Sequence, residues 1–349
     1  MRVSSAPMCR HYPSGPFPRY HRAVLRSLAF VLLAAGVALF HVGPASAQAD
    51  LRAIDVQLYT PPVNVGSTFT IDRPTTPRHL TFVFGLALSY AHEPFVRYRG
   101  DVRDLVVPWL AQGDLMIGLG LFEWVELGVV LPGAISAPTR TLDLLSPTLA
   151  PGDVTGGLGD MRLSLKVPIL RGDFALAARL VVGLPTAVSS DEGIVGGGPN
   201  FLGSDYWTLY PSFVASGAIG ILRIAGAAGY RLRQRRAVAD FEQDDEIHLA
   251  AGAAVSIIPE LAIIAELQSR IGIGGRTGFG GQSIGSAETP MEVDAGVRIR
   301  PVTGLTLEVA AGYGVVAGYG SPAPRVLATV RYATENEPCV GGPEDLAGW

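Results

Sequence analysis

The stretch Met161-Arg162-Leu163-Ser164-Leu165-Lys166-Val167-Pro168-Ile169 places Met161, Leu163, Leu165, Val167 and Ile169 on one side of an extended chain, with Arg162, Ser164 and Lys166 on the other. Successive strand side chains point to opposite faces, so a sustained period of two marks a strand with two different surroundings. The pattern returns at Met291, Val293, Ala295, Val297 and Ile299 against Glu292, Asp294, Arg298 and Arg300. It returns again at Ile247, Leu249, Ala251, Ala253 and Val255 against Glu246, His248 and Ser256. About 12 such segments follow Leu80, within a range of roughly 10 to 14, each near the length a tilted strand needs to cross a bilayer.

Two architectures satisfy this alternation. A soluble sandwich would pack its apolar faces together, whereas a barrel in lipid would turn them outward. The 349-residue chain is 48% hydrophobic and 17% charged, with 43 glycines and a mean hydropathy of +0.31, more apolar than an ordinary soluble domain. Its formal net charge of -4 gives no reason to expect a nucleic acid partner. The two cysteines, Cys9 and Cys339, lie at opposite ends with no zinc-ligand spacing, so neither a metal nor a cofactor is expected.

The N-terminus reads as an export signal. Arg10, Arg19, Arg22 and Arg26 precede an apolar run from Leu28 to Phe40, followed by Ala45-Ser46-Ala47. That run is short of the roughly 20 residues a spanning helix needs. The expected organisation is therefore a signal peptide at 1–47 cleaved after Ala47, an irregular N-terminal segment at 48–79 rich in Pro and Thr, a barrel at 80–333, and a short periplasmic tail at 334–349.

The connections sort by length, as the two rims of an outer-membrane barrel do. Short links fall at Phe122-Glu123, Arg171-Gly172-Asp173, Ile219-Gly220, Pro259-Glu260 and Pro301-Val302-Thr303-Gly304. Longer ones are expected at 91–107, 137–156, 186–204, 235–243 and 272–287, with a smaller one at 318–322. The fold class is thus all-β: a closed antiparallel transmembrane β-barrel with periplasmic termini, located in the outer membrane. Its expected partners are outer-membrane lipid and, during insertion, the barrel-assembly machinery; any small solute is unidentified.

An Arg or Lys turned to lipid at the midplane costs about 2 to 4 kcal/mol, so the ionisable faces must point inward. That register assigns the lumen to Asp114, Glu126, Arg162, Lys166, Arg179, Arg223, Arg231, Arg233, Glu246, Glu266, Glu292, Asp294, Arg298, Arg300, Glu308, Arg325 and Arg331. Their mixed signs either pair into a network that constricts the lumen or stand hydrated in a water-filled pore. Aromatics near strand ends, among them Tyr90, Trp109, Trp124, Tyr206, Trp207, Tyr210, Tyr230, Tyr313 and Tyr332, are candidates for lipid headgroup contact.

Motifs with chemical associations read as structure. Gly281-Gln282-Ser283-Ile284-Gly285 matches a nucleophile pattern, but no His follows Ser283 and no helix is expected after it. Arg171-Gly172-Asp173 suits a tight hairpin, and His248 is expected to bond a lumen acid such as Glu246 or Glu266. No catalytic residue is assigned.

The segments Gly118-Leu119-Gly120-Leu121-Phe122-Glu123-Trp124-Val125-Glu126-Leu127-Gly128, Gly157-Leu158-Gly159-Asp160-Met161-Arg162-Leu163 and Gly318-Tyr319-Gly320-Ser321-Pro322-Ala323-Pro324-Arg325-Val326 resemble the N-terminal barrels of myxobacterial OmpA-family outer-membrane proteins, over roughly 80–333. The resemblance implies acidic calcium-binding repeats and a peptidoglycan-binding domain after the barrel, and Pro338-Cys339 with Pro343-Glu344-Asp345-Leu346 looks like the start of such a repeat. The sequence ends at Trp349 before that portion, so cell-wall binding is not carried over. The function expected is that of a passive, porin-like channel or a structural membrane component; a secreted soluble β-rich binding protein is the alternative.

Overall fold

The computed structural model describes residues 55–99, 102–136, 154–189, 203, 206–234, 236–238, 241–273 and 289–334. The expected signal segment, Ser283 and nearly all of the C-terminal tail lie outside these residues, as do most of the longer links. The strands are β1 (Phe82–Arg99), β2 (Val102–Leu121), β3 (Val125–Ser136), β4 (Thr155–Leu158), β5 (Met161–Leu170), β6 (Phe174–Leu184), β7 (Val188–Ser189) and β8 (Thr208–Ile219). They continue as β9 (Leu222–Arg231), β10 (Arg236–Val238), β11 (Phe241–Gln243), β12 (Glu246–Ile258), β13 (Leu261–Gly272), β14 (Met291–Val302), β15 (Leu305–Val316) and β16 (Arg325–Ala333).

Twelve of these form a closed antiparallel barrel, each paired with its neighbours around the ring. β1 closes the ring on β16 from Val83↔Ala333 to Ala91↔Arg325. The short β4 and β7 add beside β3, and β10 with β11 forms a separate small hairpin. Closure removes the sheet edges that hydrocarbon could not satisfy.

The pleat decides which side chains meet which solvent. Ile263 is 51% exposed, Val309 55% and Leu131 41%, while Asp294, Arg298 and Glu308 are 0%, 2% and 2% exposed. A soluble sandwich would invert this distribution. The apolar residues instead form a continuous outer surface and the charges are enclosed, which overturns the soluble alternative.

Five tight turns join β2–β3, β5–β6, β8–β9, β12–β13 and β14–β15 at the positions read from sequence. The link expected at 91–107 is different: β1 and β2 continue as one long hairpin to Arg99↔Val102. A register shift between His92 and Phe95, with Glu93 at φ 50°, breaks the alternation. Val106 and Val107 are consequently both buried. A bulge lengthens the strand while erasing the period that would reveal it.

Residues 55–79 form no strand and run inside the barrel instead of leading up to it from outside. Tyr59, Val63 and Phe69 pack with Ala87, Met116, Val130, Ala254, Ile264, Ala310 and Leu327, the inward residues of seven strands. The wall makes room by using small residues. A Cβ on Gly118 would stand 2.7 Å from Val63, and in the β15–β16 link one on Gly320, at φ 80°, would stand 2.7 Å from the Val56 carbonyl oxygen. Nearer the long-hairpin end, Val56 packs with Ala91, Phe95, Val106, Val107, Leu110, Ala134 and Tyr319.

Candidate functional site

An irregular buried segment must find partners for its backbone polar groups outside itself, and the barrel wall supplies them. Arg270 Nη2 donates to the carbonyls of Gln57 (2.7 Å) and Leu58 (2.8 Å). Arg331 Nε donates to the Pro62 carbonyl at 3.2 Å, and Arg298 donates to the Ser67 carbonyl. From the segment, the Thr70 amide donates to Glu266 Oε1 at 3.0 Å. Tyr59 Oη and Thr329 Oγ1 lie 3.3 Å apart.

Ion pairs tie the same surfaces. Lys166 Nζ sits 2.9 Å from Asp72 Oδ1 of the segment and 2.9 Å from Glu126 Oε2 of β3, and Asn64 Nδ2 donates to that same Glu126 oxygen at 2.9 Å. Lys166 and Glu126 are directly opposed across the β3–β5 ladder, so two strands and the segment meet at one ammonium. Arg179 Nε lies 3.6 Å from Asp72 Oδ2.

Further pairs lie along the wall. Glu308 receives Arg298 at 2.7 Å and Arg331 at 2.5 Å. Arg325 grips Glu292 with both Nε (2.6 Å) and Nη2 (3.3 Å). Arg233 Nη2 meets Glu246 at 2.8 Å, Arg162 meets Asp114, and Arg231 Nη1 lies 3.7 Å from Asp55.

Of the residues assigned to the lumen from sequence, thirteen are buried: Asp114, Glu126, Lys166, Arg231, Arg233, Glu246, Glu266, Glu292, Asp294, Arg298, Glu308, Arg325 and Arg331. Arg162, Arg179, Arg223 and Arg300 are partly buried. The structure adds residues the sequence reading passed over. Asp55, Tyr59, Asn64, Ser67, Thr70 and Asp72 belong to a segment read as irregular lead-in. Arg270 stands four residues beyond Glu266 on the same face of β13, a spacing that could have found it.

His248 Nε2 lies 3.0 Å from Glu246 Oε2, with its ring tilted against Tyr210 at 4.8 Å. Of the aromatics considered for headgroup contact, Tyr90, Tyr206, Trp207, Tyr313 and Tyr332 are exposed. Tyr210 is not among them: it shares an interior cavity with Arg231 and His248. Among the described residues, no group of three His, Cys, Asp or Glu side chains is placed to hold a metal ion.

Asp72 gives this assembly a pH dependence. Burial alone would raise its carboxyl, but the Lys166 and Arg179 cations, with hydrogen bonds from Lys166 and Ser67, hold it below the ordinary Asp value. A depressed carboxylate stabilises the folded state fully above its unfolded value, about pH 3.9, and loses that contribution as pH falls through the folded value. The segment should therefore stay seated through neutral and mildly acidic solution and loosen only below about pH 4. Hydrogen exchange of residues 55–79, followed as the pH is lowered, checks this; loosening near pH 6 would contradict it.

No family model matches the sequence, and no curated protein matches it closely enough to count as a relative. Among solved structures, the COG4313 outer membrane channel from Pseudomonas putida F1 superposes with a TM-score of 0.55 at 14% identity, covering 78% of this chain and 100% of that one. The NanC porin gives a TM-score of 0.43 at 8% identity, covering 72% of this chain and 100% of its own. The similarity to the first is one of fold, and that fold is the outer-membrane β-barrel.

Proposed function

We propose that the protein is a porin-like outer-membrane channel held closed by its own N-terminal segment. One observation carries this reading: residues 55–79 pass through the lumen and are tied to the wall by carbonyls, carboxylates and apolar side chains at once. A hydrated pore would leave the wall charges facing water. Here they face one another and the segment.

The test is conductance in planar bilayers. The full chain should pass current at least ten-fold more weakly than a variant lacking residues 55–79, with heat-modifiable gel migration confirming that both barrels are closed. Equal conductance would refute the plug. We further infer that the chain is exported by cleavage after Ala47 and inserted by the barrel-assembly machinery with both ends periplasmic. The residues of the signal support the first step and the sorted turns the second. N-terminal sequencing of the membrane-extracted protein should begin at Gln48. The likeness to myxobacterial OmpA-family barrels rests on the glycine-rich segments quoted above.

A further inference from the structure

A cavity of about 50 Å³ lies between the segment and the wall, lined by Thr60 on one side and by Arg179, Arg231, Ser269 and Arg270 on the other. Since a water needs roughly 10 to 15 Å³ of such space, it has room for several waters or one small polyatomic ion. Thr60 Oγ1, Arg231 Nε, Ser269 Oγ and Arg270 Nη1 are all buried and have no hydrogen-bond partner, and buried Arg179 Nε has only its 3.6 Å ion pair with Asp72. Four residues with an unpartnered buried polar atom, and a fifth with only a long ion pair, line one small cavity, which differs from scattered unsatisfied groups. Their lost hydrogen bonds could all be restored by one occupant.

The chemistry of those atoms selects the occupant. Guanidinium nitrogens only donate, and a hydroxyl can donate as well. No carboxylate lines the cavity. The nearest acids are shared and stand at longer range from these arginines: Asp72 lies 3.6 Å from Arg179 Nε but 2.9 Å from Lys166, Asp55 lies 3.7 Å from Arg231 Nη1, and Glu246 is held by Arg233 at 2.8 Å. Arg231 and Arg270 are only 7% and 3% exposed, so their charges are little screened by water. Three cations and two hydroxyls converging on one space suit a small group with several acceptor oxygens and negative charge, and guanidinium suits phosphate and carboxylate geometry best.

The geometry points to a binding site for a small oxyanion, of the phosphate or carboxylate type, completed jointly by the segment and the barrel wall. Because Thr60 belongs to the segment and the arginines to the wall, the occupant bridges the two. A ligand that binds only the seated arrangement stabilises it, so the anion acts as a ligand-controlled latch on residues 55–79.

Calorimetric titration of the folded full chain in detergent, with inorganic phosphate as probe and sodium chloride as the reference ion, tests the site. One saturable phosphate site is expected, weakened at least ten-fold by Arg270→Gln and several-fold by Ser269→Ala. Arg270 also holds the segment, so Ser269→Ala, which removes no tie to it, decides the matter should Arg270→Gln misfold. Absence of saturable binding, or an affinity unchanged in Ser269→Ala, overturns the site. A barrel that binds no phosphate yet opens on deletion of 55–79 loses this inference and keeps the plug. Phosphate binding without any rise in conductance does the reverse.

Discussion

Replacing Lys166 by Met should cost about 3 to 5 kcal/mol, the penalty for breaking a buried ion pair by removing one partner. The ammonium is 1% exposed and stands 2.9 Å from each of two buried carboxylates, Asp72 and Glu126. Without it, Asp72 keeps Arg179 at 3.6 Å and a hydrogen bond from Ser67 at 3.1 Å, whereas Glu126 keeps only Asn64 at 2.9 Å among these contacts. Two anions would then face each other across the vacated position. Because Asp72 belongs to the segment, the loss should appear first as faster hydrogen exchange in residues 55–79, and then as a lower urea midpoint for the barrel. Neutralising both acids, as Asp72→Asn with Glu126→Gln in the Lys166→Met background, should restore most of the stability. A single-variant loss below about 1 kcal/mol would put the pair in the weak, solvent-screened class.

The second large effect lies on the opposite face. Val309 is 55% exposed near the middle of β15, paired with Val297 on one side and Ala328 on the other. Arg at this position would meet hydrocarbon and should cost about 2 to 4 kcal/mol, with Leu close to neutral. A water-facing strand position would give the opposite ranking, since an exposed charge there usually changes stability by about 0.5 kcal/mol or less. Refolding yield into lipid vesicles, read by heat-modifiable migration, and urea midpoints measure the difference. The pairing of Val309 with its neighbour Glu308, 2% exposed, makes the contrast internal to one strand.

Strand positions and faces were legible in the sequence because each depends on neighbours two residues apart. Lys166, Arg298 and Val309 declare their sides through their own alternation, and the turn at Arg171-Gly172-Asp173 needs only local chemistry. The extension of β1 and β2 beyond Ala91 was hidden because the irregularity near Glu93 and the consecutive burial of Val106 and Val107 break that rule. The segment at 55–79 was hidden for a deeper reason. Its conformation has no period, and the partners of Tyr59, Thr70 and Asp72 lie 270, 196 and 94 residues away, at Thr329, Glu266 and Lys166. Its content of Val56, Leu58, Tyr59, Val63, Phe69 and Ile71 hints at burial but cannot say where. The pairing of lumen charges, as opposed to their hydration, follows from that occupancy.

The most direct measurement is a spin-label scan through β13 to β15, with the protein in lipid vesicles and relaxation by oxygen compared with relaxation by a water-soluble nickel chelate. Labels at Ile263, Val297 and Val309 should be relaxed strongly by oxygen and hardly by nickel, alternating with shielded positions at Ala262, Arg298 and Glu308. Strong nickel relaxation at Arg298 and Glu308, with Ile263, Val297 and Val309 protected from both agents, would place the charges in water and the apolar faces in a dry interior, and the account would fail.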